Sequence, residues 1–116
     1  MKNNGNPIIP PEDEIKWNCE EKMPIRLIVP MQAAPGKQDE LIEAFRILAR
    51  DVRQESGCEE FELYQSTERP DHLALLEVWA DEAMLENHAE LNRQRGIDFT
   101  SLRTGSTQAE RYIVKP

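Results

Sequence analysis

"LALLEVWADEAMLENHAEL", residues 73–91, passes from a β pattern into a helical one, and its reading decides the fold. Leu73, Leu75, Glu77 and Trp79 alternate with Ala74, Leu76, Val78 and Ala80, so both faces of this strand are too apolar to lie in water. Asp81 then offers a helix N-cap, after which Met84, Leu85, His88 and Leu91 share one helical face. Glu77, Trp79 and His88 are the chemically capable side chains among these apolar positions.

Upstream, "IRLIVPMQ" (25–32) reads as a first strand. Pro30 removes a ladder donor there and predicts a bulge or an unpaired position. "AAPGKQDELIEAFRILARDVRQESG" (33–57) turns at Pro35–Gly36 and then places Leu41, Phe45, Leu48 and Val52 on a helical stripe. Gly57 suits the left-handed position that ends such a helix. "CEEFELYQS" (58–66) alternates, and "TERPD" turns it into the strand at 73–80, giving a hairpin. "RGIDFTSLRTGS" is short helical or irregular, and "TQAERYIV" (107–114) is a last strand.

The order β-α-β-β-α-β predicts an α+β, ferredoxin-like protomer with an antiparallel sheet and both helices on one face. The helices cover one side of the central strand, and a second copy of the sheet is the simplest cover for the other. A homodimer follows as an expectation. Residues 1–24, with three prolines before Glu12, read as an N-terminal arm, flexible or packed on the partner subunit, and 25–116 as the single domain.

A net charge of −8 and no basic cluster argue against nucleic acid and anionic membrane surfaces. No apolar stretch approaches the roughly twenty residues of a membrane span, and the opening lacks a secretion signal's apolar block, so a cytoplasmic location is expected. Cys19 and Cys58 form neither a zinc nor a disulfide pattern, and His72 and His88 form no HxH or HExxH. No metal is expected.

"PGK" (35–37), "SGC" with "FELYQS" (56–66), "RPDHLALLEVW" (69–79) and "DEAMLENH" (81–88) resemble the antibiotic biosynthesis monooxygenase family, of the dimeric α+β barrel superfamily. The most specific part is E-x-W closing the strand, with a histidine nine residues after the Trp. The resemblance implies back-to-back pairing of two sheets and a pocket between sheet and helices. Several family members oxidise phenols, quinols or anthrones with O2 and no cofactor, so the expected function is a cofactor-independent monooxygenase acting on a small aromatic substrate. An isomerase of a small metabolite and a non-catalytic dimeric ligand binder are the alternatives. A haem-degrading branch places asparagine where this chain has Val29, which counts against haem.

Each candidate has two readings. His88 is either a proton acceptor for a substrate phenol or a satisfied core histidine, and Trp79 either a stacking wall or a core residue. Glu77 needs a partner if buried, with Arg26, Arg111 or the backbone as candidates, and is structural or a general base. Tyr64 faces either the pocket or the dimer barrel. Phe45, Met84, Leu85 and Phe99 are core residues that also qualify as substrate-binding walls, and His72 at its turn is expected to be solvated.

Overall fold

The computed structural model describes residues 23–106 and 108–115. The expected arm and Cys19 fall almost wholly outside them. Strand β1 (Ile25–Ala33) leads to helix α1 (Gln38–Val52), then to β2 (Cys58–Gln65), β3 (His72–Trp79) and helix α2 (Glu82–Arg95). A 3-10 turn (Thr100–Leu102), a short β4 (Arg103–Thr104) and β5 (Glu110–Ile113) complete the order. β3 lies between β2 and β1, and β1's other edge is shared by β5, pairing Ile25–Ile28, and β4, pairing Gln32 and Ala33. All pairings are antiparallel. This is the ferredoxin-like arrangement.

Pro30 sits opposite Ala74 in unbroken register, so β1 carries no bulge there. Ala33 N–H bonds the Asp71 carbonyl on the β3 side, while Ala34 N–H bonds Leu102 on the other. Alternation therefore turns the Pro30 nitrogen away from β3, into the gap between β5 and β4 where no donor is needed. The irregularity of the sheet lies instead between Cys58 and Glu60 of β2.

Helix α1 buries Leu41, Phe45, Ala49 and Val52 against the sheet, with Ile42 and Leu48 half-covered at the stripe's margins. The core adds Ile25, Met31, Phe61, Leu73, Leu75 and Trp79. Each large apolar side chain removed from water contributes about 1.5–3 kcal/mol. On the opposite face Val78 is buried, while Ile28, Ala74 and Leu76 remain half-exposed.

Gly57 does not cap α1, which ends at Val52 with Arg53 in right-handed conformation at its C-cap. Gly57 instead makes the turn into β2 at φ +81°, directly beneath Met84 of α2. A Cβ built on it would lie 2.5 Å from the Met84 Cβ. Gly57→Ala combines a left-handed strain with overpacking, and an expected loss of about 2 kcal/mol or more would appear as a lower urea midpoint at unchanged slope.

Candidate functional site

Period two puts Glu77 and Trp79 on the helix-facing side of β3. Asp81, extended at φ −162°, accepts the Met84 N–H at 2.9 Å and starts α2 at an angle that carries His88 over those two residues. The Trp79 indole stacks on the imidazole, centroids 4.3 Å apart and planes 27° from parallel. Its Nε1–H donates to Glu77 Oε1 at 2.8 Å, and that oxygen lies 3.7 Å from His88 Nε2. Arg26 and Arg111, the expected partners of Glu77, pair elsewhere: Arg26 with Glu60 at 2.7 Å and Arg111 with Glu82.

The other imidazole nitrogen meets a residue that sequence reading passed over. His88 Nδ1 donates to Glu55 Oε1 at 2.9 Å, and the second Glu55 oxygen is 2.7 Å from Arg95 Nη2. Arg95 Nε also donates to Asp51 at 2.9 Å. Asn92 Nδ2 donates to His88 Nε2 at 3.0 Å. The side chains of Glu55, Glu77 and His88 are 5–7% exposed. The helix face holding His88 also carries Asn92 and Arg95, at i+4 and i+7, a spacing that makes them findable. Glu55 lies in a turn, where no periodicity points.

Burial pushes the Glu77 carboxyl above the ordinary carboxylate range, and the Glu55 charge pushes the same way, while the Trp79 N–H and His88 pull it down. Burial, followed by the Glu55 and Glu77 charges, also raises the Cys58 thiol, which makes it a poor nucleophile. With Nδ1–H committed to Glu55 and Nε2 accepting from Asn92, the imidazole keeps its lone pair on Nε2.

His88 lines a cavity of about 220 Å³ between sheet and helices. Phe45, Phe99, Glu77, His88, Asn92 and Arg103 are among its walls, with Val29 and Met31 forming part of its sheet side. The Phe45 and Phe99 rings lie 4.8 Å apart. Four residues expected at the site are not on its walls. Trp79 is 0% exposed beneath His88, and Leu85 is buried in the core. Met84 covers Gly57, and Tyr64 is half-exposed, lining two wider hollows on the β2 side. Those hollows, about 670 and 380 Å³, are larger, but neither contains the buried acid–base group. Register explains Tyr64: it pairs with Ala74, whose face is opposite to that of Leu75 and Glu77.

Among the described residues no cluster of His, Cys, Asp or Glu is placed to hold a metal ion, and no helix is long and apolar enough to cross a membrane.

The sequence pattern of the antibiotic biosynthesis monooxygenase family matches residues 24–95, which include β3, α2 and every acid and base of the cluster. The chain belongs to that family. No curated protein matches it. Among solved structures, a protein from Pseudomonas aeruginosa is similar at 27% identity and TM-score 0.70, over 83% of this chain and 98% of that one. A conserved protein from Methanosarcina mazei Go1 is similar at 26% and 0.72, over 84% and 99%. The fold is also shared with a protein of Caulobacter crescentus CB15 described as a candidate antibiotic biosynthesis monooxygenase, at 21% identity and TM-score 0.75, over 88% and 99%. In this family member the E-x-W and the helical histidine form one hydrogen-bonded, stacked unit.

The raised Glu77 pKa has a signed consequence for stability. The folded chain holds its Glu77 proton to higher pH than the unfolded chain, so stability falls as pH climbs from about 4.5 through the elevated value. Glu77→Gln keeps an acceptor for Trp79 and removes the titration. Melting curves from pH 4 to 8 should show the wild type losing ground to the variant as pH rises; parallel curves would mean that Glu77 has the same pKa folded and unfolded.

Proposed function

We propose that this chain is a monooxygenase that oxidises an electron-rich phenol or quinol with O2, using no metal or flavin. The observation that carries this reading is a buried imidazole lining an aromatic-walled cavity, its Nε2 lone pair held by the neutral Asn92 amide and its Nδ1–H backed by a carboxylate–arginine pair. His88 Nε2 takes the substrate hydroxyl proton, displacing the Asn92 amide. Glu55 stabilises the imidazolium that results, as does the Trp79 face. The substrate anion then reduces O2: a ring carbon bonds to one oxygen, the O–O bond breaks, and the second oxygen leaves as water. For a hydroquinone the balance is quinol plus O2 to hydroxyquinone plus water.

Size narrows the substrate class. A cavity of 150 Å³ accepts benzene, so about 220 Å³ suits one substituted ring and is tight for a three-ring anthrone. Phe45 and Phe99, with Trp79 beneath the imidazole, take the stacking role. A second copy of this chain covers the face bearing Ile28, Ala74, Leu76 and Val78, since a half-exposed apolar sheet face favours association.

Oxygen consumption with chelator-treated protein and a panel of one-ring quinols tests the reading. In protein shown by circular dichroism to be folded, His88→Ala should lower kcat by about 10²–10⁴-fold, and Glu55→Gln should lower it less. Product formed under nitrogen would indicate an isomerase, and saturable binding without turnover a ligand-binding protein; either replaces the oxygenase reading. Leu76→Glu should shift sedimentation to the single chain, and an unchanged profile would remove the proposed interface.

A further inference from the structure

Among the described residues, Arg26, Arg46, Arg53, Arg93, Arg95 and Arg111 each face a carboxylate. Arg103 lines the cavity and, among the described residues, has no such partner, and its Nε is shut off from solvent with no acceptor among them. A buried donor left without an acceptor is costly, and a guanidinium is satisfied best by a planar carboxylate that takes two of its N–H groups. The backbone of Arg103 is held in place: it pairs with Ala33, and its N–H bonds the Thr100 carbonyl.

The geometry gives direction to the cavity. Glu77, beside His88, pairs with Leu27, and Arg103 pairs with Ala33, so the two backbones stand about 20 Å apart along β1 at 3.3–3.4 Å per residue. Their side chains meet the same hollow from its two ends, with Phe45 and Phe99 among the walls. The proton acceptor therefore lies at one end, the cation at the other, and aromatic surface lies along the way.

We propose that the substrate is an aromatic hydroxy acid, its carboxylate paired with Arg103 and its hydroxyl turned to His88. The orientation of the hydroxyl rests on the oxygenase reading above; the carboxylate contact does not. The chain's net charge of −8 disfavours anions at a distance, and within the hollow one unopposed guanidinium reverses that preference at short range.

Calorimetric titration of the full chain at pH 7 with hydroquinone and with 2,5-dihydroxybenzoate tests the pairing. The acid should bind about tenfold more tightly than the quinol, the usual effect of one charge-assisted contact. Arg103→Gln should lose this preference, its affinities for the acid and the quinol falling within about twofold of each other, and Arg103→Lys should retain part of it. Equal affinities in the wild type, or an undiminished preference in Arg103→Gln, would overturn the proposal, and the wild-type comparison decides even if the Gln variant does not fold. Oxygen uptake separates the two readings. Turnover with no Arg103-dependent preference overturns only the carboxylate contact, whereas Arg103-dependent binding without oxygen consumption overturns only the oxygenase.

Discussion

A buried imidazole held between two buried carboxylates is the constraint on which this structure depends. Removing two carboxylates from water without compensation costs several kcal/mol for each, and the protein offsets that cost unequally. Glu55 is ion-paired to Arg95 and accepts from His88. Glu77 has only the indole N–H and a longer approach to the imidazole, and burial drives it toward its neutral form. The two carboxylates are thus compensated unequally, Glu55 by an ion pair and Glu77 by an indole hydrogen bond. On the side of the imidazole away from Glu55, Nε2 accepts from Asn92, another residue of the cavity wall.

The same cluster positions α2. That helix has only two fully buried residues, Leu85 and His88, whereas α1 buries four. A helix with so small an apolar grip needs directional contacts to define its place. Arg95 bonds back to Asp51 on α1 and to Glu55 in the turn beyond it, and His88 rests on Trp79 of β3. Polar contacts thus fix the helix across the sheet and aim its histidine with the same bonds. Structure and candidate chemistry share their residues, so loosening one loosens the other.

Much of the site was legible in the chain, though not the partnerships. Period two put Glu77 and Trp79 on one face, and helical spacing put His88 toward the sheet. Phe45 and Phe99 were read as apolar and do line the hollow. Size and placement alone fit Trp79 to a substrate wall; its complete burial under His88 depends on the angle at which α2 crosses, which Asp81 sets and no periodicity encodes. Glu55 and Arg103 escaped notice for a related reason. One lies in a turn and the other in a two-residue strand, where local pattern has too few residues to signal direction.

The alternation along β1, β2 and β3, the apolar stripe of α1, and the cap at Asp81 determined by themselves the element order and the sheet-and-helix layering, because side-chain periodicity is a local property of the backbone. Tertiary structure alone decided that Gly57 seats Met84 rather than ending α1, that Tyr64 faces away from the cavity, and that Arg26 and Arg111 leave Glu77 to Trp79 and His88. Those outcomes depend on strand register and helix crossing. Both are set by the packing of residues far apart in the chain, where a shift of one position turns a side chain to the other face.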